Sequence, residues 1–416
     1  MDLAQTIDQI GRNAQGASRV LARVSTMQKD QALRAAADQI ERENQEILSA
    51  NSADLEAAKT LGAAMLDRLR LDRDRLNKIA QSLRSIAELK DPVGEILKQW
   101  ERPNGLKIAK VRVPIGVIAI IYESRPNVTI DAASLCLKTG NAVILRGGSE
   151  AVRSNAALAA AFQRGYVFAG LPDYSVQLVP GTDRAAIPLL AQMDRYLHLI
   201  IPRGGKALIE TVAASARVPV IKHFDGVCHL YVDDEADLKM AEDIVLNAKC
   251  QRPGVCNAIE TLLVHAGTAL DFLPRCAATL SRHGVELRGD DITQRILGAH
   301  VKPATEADWG AEYLDLILSV RVVSTLDDAI EHIETYGSHH SDSIVTSNPE
   351  AAEKFLRSVD SAVVFWNAST RFNDGGEFGF GAEIGISTDR LHARGPMGLE
   401  ELTSYKYVVK GSGQVR

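Results

Sequence analysis

The chain has 416 residues, of which 46% are hydrophobic and 24% are charged. This composition is ordinary for globular proteins, and the length suggests roughly three domains at about 150 residues each. The 47 basic and 53 acidic side chains nearly balance and are interspersed. Such a pattern argues against a nucleic-acid or membrane-surface partner and favours a small-molecule substrate.

Signals for membrane insertion, secretion and metal binding are missing from the sequence. No apolar run reaches the ~18 residues that span a bilayer, and the start, MDLAQTIDQIGRN, does not match a signal peptide. We therefore expect a soluble, cytoplasmic protein. An odd number of cysteines without a CxxC pair disfavours both a disulfide framework and a zinc site, so we expect free thiols and no metal.

The first ~90 residues are predicted to be helical, because apolar residues recur there at helical spacing. One such stripe follows a predicted helix cap at Asp72. Pro92 and Gly94 then end the helical block. Beyond them, two strand-like segments flank Pro103-Asn104-Gly105, where Asn-Gly predicts a tight hairpin turn with positive φ angles.

From residue 115 onward, short continuous apolar runs alternate with helical stretches, which is typical of parallel sheets with helical crossovers. The first series of predicted strands comprises residues 115–121, 142–145, 176–179, 197–201 and 218–221. The second series comprises residues 229–232, 260–264, 320–323, 343–346 and 362–366. Two α/β units are therefore predicted, and residues 404–410 alternate like an edge strand that could pair with another subunit.

Two glycine-rich turns follow strands of the first series. Arg146-Gly147-Gly148-Ser149 precedes a helical run, where backbone N–H groups can hold a phosphate. Such a turn also needs glycine for purely steric reasons. Pro202-Arg203-Gly204-Gly205-Lys206 follows another strand, and two cationic glycine turns in one sheet favour a dinucleotide. No GxGxxG is present, which excludes the standard Rossmann fingerprint.

The segment QRPGVCN, residues 251–257, lies between a predicted helix and a predicted strand. A cysteine in such a polar loop can ionise, and a thiolate attacks acyl carbon well. Arg252 and Gly254 give Cys256 charge and access, and Cys250 at the helix end is the alternative. The remaining cysteines fit small buried hydrophobic residues: Cys136, Cys228 and Cys276.

Adjacent histidines at His339 and His340 suggest a metal site or a general base. Neighbouring residues on a strand point to opposite faces, so a polar loop near a substrate explains the pair better.

The order of these motifs resembles the aldehyde dehydrogenase superfamily along nearly the whole chain. More closely, three segments resemble the γ-glutamyl phosphate reductase family: ESRPNV at 123–128, QRPGVCN at 251–257 and GEFGFGAEIGIST at 376–388. The resemblance implies an α/β fold with two Rossmann-like parallel-sheet domains and a small β oligomerisation domain.

The same resemblance implies roles for individual residues. Cys256 matches the nucleophile, and Asn127 the asparagine that bonds the oxyanion, with Arg125 as its competitor. The cofactor matches are Arg146, Gly147, Gly148 and Ser149 at the ribose and phosphates, Gly204 and Gly205 at the pyrophosphate, and Glu312 at the nicotinamide ribose. From its position, Arg146 is expected to favour NADP(H) over NAD(H).

One departure from the hydrolytic members is informative. Lys222 stands where they carry a glutamate that activates water, and an ammonium is suited instead to a phosphate dianion. His223 is the next candidate for that role. Arg371 and Glu377 are candidates for binding the amino-acid end of the substrate, or else they are surface charges of a solvated loop.

The family resemblance implies NADPH-dependent reduction of L-glutamyl 5-phosphate to L-glutamate 5-semialdehyde in proline biosynthesis, through a thioester on Cys256. Another acyl donor such as a CoA thioester, or a non-catalytic nucleotide-binding role, is the alternative. A homo-oligomer is expected, as is transfer of the labile acyl phosphate from a glutamate kinase.

These interpretations predict three parts. Residues 1–96 and 115–226 form a cofactor-binding domain, residues 227–390 a catalytic cysteine domain, and residues 97–114 with 391–416 an oligomerisation element.

Overall fold

A computed structural model describes residues 2–123 and 125–416. The α-helices are α1 (Leu3–Leu21), α2 (Thr26–Arg42), α3 (Asn44–Ala57), α4 (Ala63–Leu69), α5 (Arg73–Glu88), α6 (Asn127–Lys138), α7 (Val152–Phe168), α8 (Ala186–Ala191), α9 (Lys206–Ser215), α10 (Leu238–Cys250), α11 (Ala266–Arg282), α12 (Asp291–Leu297), α13 (Glu306–Trp309), α14 (Leu326–Tyr336) and α15 (Pro349–Ser358).

The strands are β1 (Ile96–Glu101), β2 (Lys107–Pro114), β3 (Val117–Tyr122), β4 (Ala142–Arg146), β5 (Val176–Leu178), β6 (Leu199–Arg203), β7 (Cys228–Val232), β8 (Ile259–His265), β9 (Glu286–Gly289), β10 (Lys302–Pro303), β11 (Ile317–Val323), β12 (Ser341–Val345), β13 (Val363–Trp366), β14 (Ile386–Ser387), β15 (Gly395–Pro396) and β16 (Thr403–Lys410).

The chain divides into two compact units. Unit 1 comprises Met1–Lys222, Gly379–Gly385 and Met397–Arg416, and unit 2 comprises His223–Phe378 and Ile386–Pro396. Whether a separate oligomerisation element exists, with the boundaries given above, stays a prediction.

Unit 1 contains a parallel four-stranded sheet in the order β5-β4-β3-β6. Every residue of β3 and β4 is buried, as expected for strands covered by helices on both faces. Around the sheet lie amphipathic helices such as α5, whose predicted cap is confirmed because Asp72 accepts the Arg75 N–H at 2.8 Å.

The predicted strand at 218–221 is wrong. Residues there make one isolated bridge, between Ile200 and Val220. Pro219 lacks the N–H that a ladder needs, so pairing with β6 cannot extend through it.

The antiparallel sheet of unit 1 has the order β1-β2-β16. The predicted hairpin forms, with Glu101 opposite Lys107. In its turn Gly105 has a positive φ of 84°, whereas Asn104 does not have the predicted positive φ. The terminal strand pairs with β2 of its own chain, Thr403 opposite Pro114. The three-stranded sheet leaves the outer edges of β1 and β16 open. The expectation that the hairpin and the C-terminal strand pair with another subunit stays a prediction.

Unit 2 contains a parallel seven-stranded sheet in the order β10-β9-β11-β8-β7-β12-β13. Helices α10, α11 and α12 contribute to one of its cores, which includes Val245, Phe272 and Leu297. Strands β7 and β8 lie at the middle of this sheet, and the loop before β8 carries Cys256. Within the described residues, no helix is long and apolar enough to cross a membrane.

Candidate active site

Cys256 is a half-buried free thiol in the loop between α10 and β8. Three other cysteines are buried, and burial raises the pKa of each, that of Cys276 to about 12. Burial also raises the pKa of the half-buried Cys250. These surroundings disfavour the thiolate at the other cysteines and leave Cys256 as the strongest candidate nucleophile.

The backbone around Cys256 is closely packed in unit 2. A Cβ on Gly226 would lie 2.1 Å from the Cys256 carbonyl oxygen, so only glycine fits there. The same carbonyl accepts the Cys228 thiol at 3.1 Å. The Gly226 N–H donates to Glu312 Oε1 at 2.9 Å. Glu312, predicted at the cofactor ribose, is thus bonded to the backbone that contacts the candidate nucleophile.

Arg371 holds the cysteine loop at two points. Its guanidinium donates to Asn257 Oδ1 and, at 2.9 Å, to Gln251 Oε1. Burial lowers the pKa of Arg371, and the nearby Arg252 lowers it further. Arg371 therefore positions residues 251–257, a role that the sequence did not suggest. The other proposed substrate residue, Glu377, is exposed in the same segment.

Further bonds anchor Asn257, the residue after the nucleophile. Its side-chain amide donates to the Asn373 carbonyl at 3.0 Å, and its carbonyl accepts the Thr370 hydroxyl at 2.7 Å. Asn257 is buried. These contacts fix the backbone on the C-terminal side of Cys256.

The candidate phosphate residues lie on either side of a unit boundary in sequence. Lys222, half-buried, is the last residue of the first segment of unit 1. His223 begins unit 2, and its ring lies edge-on to that of His340, with centroids 5.8 Å apart. The adjacent His339 ring nitrogen bonds the Asp360 carbonyl at 2.9 Å, so the two neighbouring histidines have different surroundings.

In unit 1, the turn after β4 is tight. A Cβ on Gly147 would lie 2.2 Å from Asn155 Nδ2. Arg146 is 8% exposed, and its guanidinium donates to the carbonyls of Gly147 at 2.8 Å and Thr182 at 3.3 Å. These bonds use two of the five N–H groups of the guanidinium. Ser149 is exposed and its hydroxyl bonds Glu150 at 3.3 Å.

The turn after β6 binds a carboxylate of the chain itself. The Gly205 N–H donates to Glu123 Oε2 at 3.0 Å, and a Cβ on Gly204 would lie 2.6 Å from Glu123 Cδ. Sequence reasoning missed Glu123. The contact depends on β3 and β6 being parallel neighbours with Tyr122 opposite Arg203, which the strand patterns alone do not specify. The contact shows that this turn can hold an anionic oxygen, as a cofactor pyrophosphate would require.

Asn127 begins α6, and its side-chain amide donates to Asp131 Oδ2 at 2.8 Å. Burial raises the pKa of Asp131 to about 6. Arg125, the competing candidate for the oxyanion, is exposed. In the described part of the chain, no group of three or more His, Cys, Asp or Glu side chains is arranged to hold a metal ion.

Comparison with known proteins identifies the family. The family model for the aldehyde dehydrogenase family matches residues 2–309. A γ-glutamyl phosphate reductase of Moorella thermoacetica is 56% identical over 418 residues, covering 100% of both chains. One of Paramagnetospirillum magneticum is 54% identical, covering 100% of this chain and 98% of its own.

The crystal structure of γ-glutamyl phosphate reductase from Thermotoga maritima superimposes with a TM-score of 0.97 at 48% identity, covering 99% of each chain. The chain belongs to the γ-glutamyl phosphate reductases of the aldehyde dehydrogenase family.

Family membership confirms the predicted resemblance and fold class. γ-Glutamyl phosphate reductases are oxidoreductases, and the aldehyde dehydrogenase family uses a nicotinamide cofactor. Its members act on small-molecule substrates and are typically oligomeric. The roles of individual site residues stay predictions.

Proposed function

We propose that the chain reduces L-glutamyl 5-phosphate to L-glutamate 5-semialdehyde with NADPH, through a thioester on Cys256. The proposal rests on the 56% sequence identity, over the full length of both chains, to a relative named γ-glutamyl phosphate reductase. The half-buried Cys256 thiol in a closely fixed loop supports it.

The Cys256 thiolate attacks the acyl carbon, a C–S bond forms, and the C–O bond to phosphate breaks, with phosphate leaving with the electron pair. When bound, the cofactor supplies the hydride that reduces the thioester. The tetrahedral oxyanion then collapses, the C–S bond breaks, and the thiolate returns. A backbone N–H near Cys256 and Asn127 are the proposed oxyanion donors.

Lys222 is the proposed partner of the phosphate. An ammonium attracts a dianion that a carboxylate in the same place would repel, and it leaves no base to activate water against the thioester. In a Lys222→Ala variant, the KM for phosphate in the oxidative direction should rise, with little change in cofactor binding. Normal phosphate kinetics would remove Lys222 from the mechanism and make His223 the next candidate.

For the cofactor, we propose NADP(H), held by residues 146–149 and the turn of Gly204 and Gly205, with Glu312 at the nicotinamide ribose. The three further N–H groups of the Arg146 guanidinium can bond a 2′-phosphate. An Arg146→Ala variant should therefore lose preference for NADPH over NADH. An unchanged ratio of kcat/KM values for the two cofactors would refute this assignment.

Arg371 and Glu377 remain the proposed contacts for the amino-acid end of the substrate. Cytoplasmic localisation and transfer of the acyl phosphate from a glutamate kinase are part of the same proposal.

The test is the oxidation of L-glutamate 5-semialdehyde with NADP⁺ in the presence of phosphate or of CoA. Turnover that requires phosphate and is not supported by CoA is the expected result. Turnover with CoA instead would point to a CoA-acylating enzyme, and no turnover with either would favour a non-catalytic role.

A further inference from the structure

A buried ion pair joins the two ends of the loop that carries Cys256. Lys249 lies in the last turn of α10 and Glu260 near the start of β8. Lys249 Nζ donates to Glu260 Oε2 at 2.6 Å, and both side chains are 0% exposed. The pair therefore fixes the separation of the loop ends.

Stability alone does not explain why charges stand at these positions. Burial raises the pKa of Glu260 to about 7 and lowers that of Lys249. Two charges removed from water carry a desolvation penalty that an apolar pair of similar volume avoids. A charged pair here therefore needs a reason beyond packing.

The second carboxylate oxygen of Glu260 binds another segment. The Leu314 N–H donates to Glu260 Oε1 at 3.2 Å. Leu314 has a φ of 53°, a conformation that leucine rarely adopts. The preceding residue is also fixed, because the Tyr313 hydroxyl lies 2.8 Å from both Asp308 Oδ1 and Ser319 Oγ.

Glu312, the first residue of this segment (residues 312–314), links the segment to the backbone around Cys256. Glu312 accepts the N–H of Gly226, whose Cα has no room for a Cβ against the Cys256 backbone. One carboxylate, Glu260, thus bonds both the stem of the Cys256 loop and the segment that carries Glu312.

We propose that Lys249 and Glu260 are positioning residues that hold the Cys256 loop and the Glu312 segment in one fixed arrangement. The effect on kcat rests on the proposed function. The effect on the two segments can be measured by hydrogen exchange in the chain without substrate. A small displacement of a nucleophile is costly in rate, because the reacting atoms must start near their bonding distance.

Two double variants separate the two contacts of Glu260. Lys249→Met with Glu260→Gln removes the ion pair but keeps an acceptor for the Leu314 N–H. Lys249→Met with Glu260→Met removes both contacts. Neither leaves an unpaired buried charge, so both should fold. The matched control is Lys29→Met with Asp91→Asn, which removes the buried Lys29–Asp91 pair of unit 1.

Both double variants should lower kcat for semialdehyde oxidation by about 10- to 100-fold, with the KM for NADP⁺ unchanged. The control should keep the wild-type kcat. Amide hydrogen exchange should be faster at residues 250–258 in both variants. At residues 312–316 it should be faster only in the variant with Glu260→Met.

Wild-type kcat and exchange in both variants would overturn the proposal. An equal loss of kcat in the control would also overturn it, because general loosening would then be the cause. If the double variants fail to fold, Lys249→Arg and Glu260→Asp keep both charges and shift the geometry. They should lower kcat, and wild-type kcat in them would again overturn the proposal. A wild-type chain without reductase activity would refute the proposed function, while the exchange experiment would still decide the positioning role.

Discussion

Gly226 shows how closely the chain approaches itself beside Cys256. A Cβ at this position would lie 2.1 Å from the Cys256 carbonyl oxygen. The Gly226 N–H is the donor to Glu312. A single hydrogen atom in place of a side chain therefore permits both the packing and the hydrogen bond.

A Gly226→Ala substitution should displace the Cys256 loop. Overpacking of this kind costs about 1–3 kcal/mol of stability, and kcat should fall because the thiol moves. The control is Gly16→Ala in α1, where a Cβ would have no neighbouring atom within 4 Å. Alanine there should stabilise the folded chain by about 0.5–1 kcal/mol. Thermal unfolding and steady-state kinetics measure both. Wild-type kcat in Gly226→Ala would contradict the described packing.

Asp131 gives a pH-dependent prediction. Burial raises its pKa from 3.8 to about 6, so the folded chain binds the proton more tightly than the unfolded chain does. This tighter proton binding stabilises the folded chain fully below about pH 4. As pH rises through about 6 the contribution, up to about 3 kcal/mol of the free energy of unfolding, is lost. Asp131→Asn should therefore raise the unfolding temperature at pH 8 and change it little at pH 4. Equal shifts at both pH values would refute this.

At the residue scale, the sequence pattern selected Cys256 as the candidate nucleophile but did not predict the contacts around it. A polar loop with Arg252 and Gly254 distinguished it from the buried cysteines. Nothing in the sequence showed that Arg371 bonds Gln251 and Asn257, because that choice of partner depends on how the 369–380 loop packs in three dimensions.

At the scale of elements, the turn between β6 and α9 combines a helix N-terminus with a carboxylate from the end of β3. Glu123 accepts the Gly205 N–H at the position where a pyrophosphate is expected. If the pyrophosphate binds there, it must displace this carboxylate.

A Glu123→Gln variant should bind NADPH more tightly. Removing a charge that competes for a helix N-terminus changes the binding free energy by about 0.3–1 kcal/mol, or roughly two- to fivefold in Kd. Titration calorimetry measures the Kd. The matched control is Glu210→Gln, an exposed residue of α9 away from its N-terminus, which should leave the Kd unchanged. Equal or weaker NADPH binding by Glu123→Gln would argue against pyrophosphate binding at Gly205.

Most elements were predictable from local pattern, and the errors have local causes. Buried strands such as β3 and β4 are continuous apolar runs, which the sequence shows directly. The predicted strand at 218–221 ignored Pro219. The short strands β9 and β10 have no apolar run, so only their neighbours in the sheet define them.

For the whole molecule, the three-stranded sheet brings together the hairpin and the C-terminal strand, which are about 300 residues apart in the chain. Strand β16 pairs with β2 along its full length, from Thr403 to Lys410. The sequence showed the strand character of each segment but not that the segments pair within one chain, because an edge-strand pattern does not specify which strand it pairs with.

Deletion of residues 403–416 should expose the edge of β2 and give monomers or insoluble protein, since β2 would lose its ladder on that side. The control is deletion of residues 413–416, beyond the strand, which should keep the wild-type oligomer. Light scattering measures the size of both. A soluble 403–416 deletion with unchanged oligomeric size would show that this sheet does not support assembly.

The covalent step at Cys256 is the central claim, and it can be observed without phosphate. Mixing the enzyme with L-glutamate 5-semialdehyde and NADP⁺ alone should release one equivalent of NADPH per chain and leave a thioester. Fragmentation mass spectrometry should locate the acyl group on Cys256. Cys256→Ala should give no burst and Cys250→Ala a normal one. A burst that persists in Cys256→Ala, or an acyl group on Cys250, would contradict the account.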